Sequence, residues 1–364
     1  MASYLNRRTV MKTGLAASAL ALSGPSVAAT EPLKVGFVYP SPIADHGWSY
    51  RHEIGRQDVV AEFGDQVETT FVESVPEGAD AKRVITQLAI SGHKLIFTCS
   101  FGYMDPTLEV ASKFPNVFFE HNTGFKTAEN VSVYNARFHE GRSVFGNIAA
   151  QMTKTGVVGY IASFPIPEVI MGINAFTLAA QKLRPDIQVK VVWVYTWFDP
   201  AKEADAARAL LEQGADFITQ HTNSPAPCKS AEAAGASCFG QDADMTIFAP
   251  KAHLTGIVNN WSPYYIRRVR DVMNGTWTTQ HSWDGIAEGV VQMAPYNKGS
   301  LPADVLASAI ATEEAIRNGS LHPFEGPITK ADGTEVIGDG AKLSNDQVHS
   351  MNYFVKGVQG QIPS

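Results

Sequence analysis

The side chains of this chain that could do chemistry are aromatic rings and polar edges on loops that follow apolar strands. Trp48 opens a helix after the first strand, and Phe101 and Tyr103 follow the third. Trp197 and Phe198 follow a strand of the second half, and Trp261, Tyr264 and Tyr265 follow another. On comparable loops lie Glu120, His121 and Asn122, then His221, Thr222 and Asn223, then Asp242 and Asp244, then Asn259 and Asn260. A planar heterocycle stacks on aromatic faces at about 1–3 kcal/mol per ring, and Asn or Asp at its edge supplies the donors and acceptors that orient it. The chemistry is therefore capture of a flat ligand, with Trp48 and Trp197 as two faces of a clamp. Any one ring alone also reads as a half-buried packing residue. Recurrence at strand ends in both halves favours a site.

Catalytic groups do not assemble in the same way. There is no G-x-S-x-G, H-E-x-x-H or Walker A sequence, and no G-x-G-x-x-G after a strand. The ten histidines show no metal-ligand spacing, and C-x-x-C is absent. The expectation is a binding protein and not an enzyme, with no cofactor and no metal.

The elements that must position these groups alternate between strand and helix. Val191–Thr222 is one complete βαβ unit: a strand at Val191–Tyr195, a helix over Lys202–Gln213, Gly214 as its stop, and a strand at Phe217–Thr222. Asp199-Pro200 reads as helix cap and first helical residue, because Asp supplies an oxygen to orphan N–H groups and Pro needs no N–H there. Before this unit the same alternation runs from Leu33 to Ala136, and it restarts at Val157 after a helix at Glu140–Met152. The order helix end, Gly, apolar strand, polar loop, Pro-started helix occurs both at Ser91–Pro106 and at Gln213–Pro225. Two similar α/β lobes with mostly parallel sheets are expected. The expected boundaries are 30–137 with 262–320 for lobe 1, and 138–261 with 321–364 for lobe 2.

Bulk properties narrow the partners. The chain has 364 residues, 45% hydrophobic and 18% charged, and a net charge of −7. The first 29 residues carry Arg7, Arg8 and Lys12 and no acid, so the remainder is more acidic still, at about −10. An acidic body argues against nucleic acid as a partner. Residues 1–29 read as an export signal: Arg7-Arg8, a short apolar stretch at Gly14–Leu22, and small residues at Ser26–Ala29. Asn6–Lys12 resembles a twin-arginine motif with Val10 in place of the usual Phe, and a Sec signal is the alternative. No Cys lies near the cleavage region, so no lipid anchor is expected. The mature form would be a periplasmic monomer of roughly 335 residues. Of three cysteines, Cys99 ends a buried strand, while the spacing of Cys228 and Cys238 permits either a disulfide or two free thiols.

At this point the motifs match a known family. Asp45–Tyr50 with Gly55, Thr153–Gly159, Pro165–Phe176, Trp197–Lys202, Gln213–Asp216 and Gln220–Ser224 together resemble the basic membrane protein family of ABC-transporter substrate-binding proteins, which includes purine nucleoside receptors. The resemblance covers most of the mature chain. It implies a type I periplasmic-binding-protein fold, two Rossmann-like lobes joined by three crossings, and an inner-membrane permease as partner. It places a purine between the positions of Trp48 and Trp197, an edge group at Asn122, and the family's acidic pair at Asp242 and Asp244. This chain departs from it at Asn259, where the family carries Lys, and at Tyr39-Pro40, where it carries Asn-Asp or Thr-Asp. Loss of these sugar-facing groups points to a free base such as adenine, with nucleosides and sugars as alternatives. The expected ligand residues are Trp48, Phe101, Glu120, Asn122, Trp197, His221, Asp244 and Trp261.

Overall fold

The computed structural model describes residues 31–363. The export signal expected at 1–29 lies outside them. The first half runs β1 (Leu33–Val38), α1 (Trp48–Phe63), β2 (Val67–Val72), α2 (Ala79–Ile90), β3 (Leu95–Thr98), α3 (Met104–Ala111), β4 (Phe118–Asn122) and β5 (Val131–Ala136). After α4 (Phe138–Met152) the pattern repeats as β6 (Val157–Ala162), α5 (Pro167–Leu183), β7 (Gln188–Trp193), α6 (Pro200–Glu212), β8 (Phe217–Gln220), α7 (Ala226–Ala234), β9 (Ser237–Gln241) and β10 (His253–Asn259). The tail holds α8 (Ser262–Met273), β11 (His281–Asp284), β12 (Val291–Met293), α9 (Ala303–Arg317), β13 (Ile328–Thr329), β14 (Glu335–Ile337), α10 (Asn345–His349) and β15 (Val358–Gln359).

Two large sheets result, with a small antiparallel pair, β13-β14, apart from them. The large sheets have the orders β11-β5-β4-β3-β1-β2 and β12-β10-β9-β8-β6-β7-β15. Without the edge strands contributed by the tail, both have the doubly wound order 2-1-3-4-5, so the internal repeat is structural. Within these two sheets all pairs are parallel except β10 with β12. Interior strands such as β3, with all four residues buried, need the continuous apolar run Leu95–Phe97 because helices cover both faces. In the second lobe α4 lies so close to α5 that a Cβ on Gly146 would fall 2.2 Å from the carbonyl of Phe176. The chain passes between the sheets three times: from β5 into α4, from β10 into α8 and β11, and from β11 to β12.

One feature differs from expectation. Strand β7 ends at Trp193, not Tyr195, and is only half-buried, because the two-residue β15 covers little of its outer edge. In the tail β11 joins the first sheet, β12 joins the second, and α9 packs on α4, with Ser308 Oγ 3.0 Å from Asn147 Oδ1. Asp199 caps α6 as its chemistry predicts, its side chain accepting from the N–H groups of Ala201 and Lys202 at 3.2 and 3.1 Å.

Candidate ligand-binding site between the lobes

Parallel strands deliver their loops to one end of a sheet, and the two lobes turn these ends toward each other. Between them lies a narrow cavity, about 350 Å³ when the open solvent at its mouth is included. The first lobe lines it with Pro40 after β1, Trp48 at the start of α1, Ser100 and Phe101 after β3, and Thr123 after β4. The second lobe lines it with Glu168 in the first turn of α5, Trp197 after β7, His221 and Asn223 after β8, and Asp242 after β9. Thr123 and Asp242 hold left-handed backbones, φ 63° and 54°, which non-glycine residues rarely adopt and which concentrate at functional sites.

Both tryptophans are held by their indole nitrogens. Trp48 Nε1 donates to the Cys99 carbonyl at 2.7 Å, and its ring meets His52 and Trp261 edge-on at 4.5 and 5.8 Å. Trp197 Nε1 donates across the cleft to Glu77 Oε1 at 3.3 Å, and its ring leans on Phe164 at 5.0 Å. The Trp197 carbonyl accepts from Asn223 N–H at 3.0 Å, which ties the β7 and β8 loops together. Other contacts join the lobes: Arg51 Nε donates to the Asn259 carbonyl at 2.9 Å, and a Cβ on Gly47 would lie 3.1 Å from the Asn223 carbonyl.

The polar groups are acid-rich. Asp242 is 1% exposed, and burial pushes its carboxyl up to about 7, against the opposing pull of the Gln241 amide, Arg142 and Arg51. Glu168 accepts from Asn135 Nδ2 at 2.7 Å and stands 3.5 Å from His221 Nε2. Burial draws the His221 pKa down, which favours a neutral ring. Among the described residues, His221 Nδ1, Thr222 Oγ1, Asn122 Oδ1 and both amide atoms of Asn259 are buried without a hydrogen-bond partner. The arrangement can stack a flat ring and bond its edge. Among the described residues no cluster of His, Cys, Asp and Glu is suited to a metal.

Of the eight expected ligand residues, the structure brings Trp48, Phe101, Trp197 and His221 to the cavity. Glu120 does not line it: fully buried, it accepts from Tyr264 Oη, Arg268 Nε and Trp277 Nε1 at 2.6–2.7 Å and so serves the core of the first lobe. Asn122 points its Nδ2 at the Tyr134 carbonyl, 3.1 Å away, and its neighbour Thr123 reaches the cavity instead. Asp244 is exposed and folds back on Thr246, while Asp242 reaches the cavity. Trp261 is buried behind Trp48, stacked on His52 at 5.1 Å with 4° between planes. Sequence reasoning missed Glu168, Ser100 and Thr123. Glu168 was findable, since it opens the helix after β6 just as Trp48 opens the helix after β1. Cys228 and Cys238 are both free and buried.

Comparison with known proteins gives the family and supports the fold. The family model described as "Bmp: ABC transporter substrate-binding protein PnrA-like" matches residues 33–324. A purine-binding protein of Brucella abortus (strain 2308) is 54% identical over 340 residues, covering 93% of this chain and 97% of that one. A protein of Haloferax volcanii, named for glucose binding in an ABC transporter, is 35% identical over 334 residues, covering 92% and 82%. A solute-binding protein of an ABC transporter system from Aeropyrum pernix K1 superposes with a TM-score of 0.68 at 17% identity, covering 88% of this chain and 96% of that one, which supports the two-lobed fold. These proteins are named for binding solutes, not for transforming them. The chain belongs to the Bmp family, the PnrA-like substrate-binding proteins of ABC transporters.

Proposed function

We propose that this substrate-binding protein captures a purine-type nucleobase, adenine-like in size, between Trp48 and Trp197, and presents it to an inner-membrane permease. The observation that carries the reading is that these two rings, one from each lobe, line the same small cavity with two buried carboxylates, Asp242 and Glu168. Rings supply affinity for any flat base, and the carboxylates accept from ring or exocyclic N–H groups. Pro40 offers no side-chain hydrogen bond where a sugar hydroxyl would need one, which supports a base over a nucleoside. A relative named for purine binding supports a purine ligand, base or nucleoside alike. We place the protein in the periplasm as a monomer, exported by a signal of the twin-arginine type and carrying no lipid. No helix among the described residues is long and apolar enough to cross a membrane.

Titration calorimetry with adenine, adenosine and glucose tests the reading. Tightest binding of adenine supports it, and binding of glucose alone would sink it. Glucose is the second reading because one relative is named for it and because aromatic rings also stack on sugars.

A further inference from the structure

We infer that Glu77 is a closure residue: an acceptor prepared on the first lobe that takes the indole N–H of Trp197 when the second lobe swings in. The inference rests on the reading of Trp197 as one face of the clamp. Glu77 lies on the exposed loop between β2 and α2. Its Oε1 accepts from the Ser100 hydroxyl at 2.6 Å and from the Gly102 backbone N–H at 3.0 Å. Both donors belong to the β3–α3 loop, which lines the cavity through Ser100 and Phe101. The same oxygen accepts from Trp197 Nε1 at 3.3 Å, the indole's one polar contact among the described residues.

The carboxylate packs directly on Gly102. A Cβ there would lie 2.2 Å from Glu77 Cδ and Oε2. A side chain at position 102 would therefore push the flexible end of Glu77 off these donors. Two donors on one lobe thus fix an anionic acceptor before the other lobe arrives, which removes most of the ordering cost from the last bond. A bond at the indole edge sets the rotation of the ring. Trp197 therefore presents its face to the cavity when the lobes are closed, and in the open form that restraint is gone. Ligand stacking and lobe closure become one event, because whatever favours the closed state favours the oriented ring.

The test uses Glu77→Ala, Glu77→Gln, Gly102→Ala and Trp197→Phe in the full mature chain. Affinity for adenine is read by calorimetry, and the interlobe distance by spin labels on cysteines placed at exposed Ile90 and Leu183, since the native thiols are buried. Glu77→Ala should weaken binding about three- to tenfold, as expected for one charged hydrogen bond at a partly exposed site, and should lower the closed fraction. Glu77→Gln retains an acceptor oxygen and should recover most of the loss. Gly102→Ala should reproduce Glu77→Ala and add nothing to it, and Glu77→Ala should add little to Trp197→Phe. Full additivity of Glu77→Ala with Trp197→Phe, or wild-type affinity and closure in Glu77→Ala, overturns the inference. A wild-type chain that ignores adenine refutes the purine reading alone. The closure residue is then read with adenosine or glucose if either binds, and otherwise from the interlobe distance.

Discussion

The indole N–H of Trp48 is bonded to the backbone carbonyl of Cys99 at 2.7 Å, so the ring that opens α1 is anchored to the end of β3. Trp48 is thereby fixed within its own lobe, while Trp197, the other face of the proposed clamp, is bonded across the cleft. Trp48→Ala and Trp197→Ala should each weaken adenine binding by about tenfold or more, the loss of one stacking face. Trp48→Phe keeps a ring without the anchor and should fall between. Calorimetry checks this, and near-wild-type affinity in either alanine variant would refute the clamp.

Asp242 gives the molecule a pH signature. Its folded pKa, near 7, lies above the unfolded carboxylate value, so the folded state holds the proton more tightly. The stability this contributes is complete below about pH 4 and is lost as pH rises toward 7. Asp242→Asn should therefore flatten the melting temperature between pH 4 and 7 relative to wild type. An unchanged slope would show that Asp242 does not titrate in this range.

The same group should couple binding to proton release. A base that donates N–H to the ionised Asp242 lowers its pKa, so adenine uptake near pH 6 expels protons and uptake at pH 8.5 does not. Calorimetry in buffers of different ionisation enthalpy measures the count. Equal enthalpies in all buffers at pH 6 would mean that the ligand does not engage this carboxylate.

Glu120 and Arg268 form a fully buried ion pair at 2.6 Å in the first lobe. Glu120→Ala leaves the buried guanidinium with Asp271 as its one carboxylate partner and removes the acceptor of Tyr264 and Trp277, and should cost about 3–5 kcal/mol of stability. Ligand affinity of the folded fraction should be unchanged. A large affinity loss at an unaltered melting temperature would return Glu120 to the ligand site.

The cysteines offer a chemical check. Burial pushes the Cys99 thiol up to about 12 and raises Cys238 as well, so neither should react in the native protein. Protein purified without reductant should show all three thiols to a disulfide-exchange reagent once denatured. A count of one would reveal a Cys228–Cys238 bridge.

The architecture, and the two tryptophans that line the interlobe cavity, were legible in the residues alone. Alternating apolar runs and capped helices specify a doubly wound sheet, because periodicity and caps are local properties written in consecutive residues. The rule that ligands meet the carboxyl ends of parallel strands then places Trp48, Phe101, Trp197 and His221. Tertiary structure decided which neighbour on each loop reaches inward. One left-handed residue at position 242 turns that carboxylate into the cleft, and the carboxylate at 244 folds back on Thr246. Glu120 has the composition of a ligand group, yet Arg268, far along the chain, takes its charge. Glu77 had no local signal, since its partners, Ser100, Gly102 and Trp197, come from two other loops. Side-chain direction and partnership depend on residues distant in sequence, and only the packed lobes bring those together.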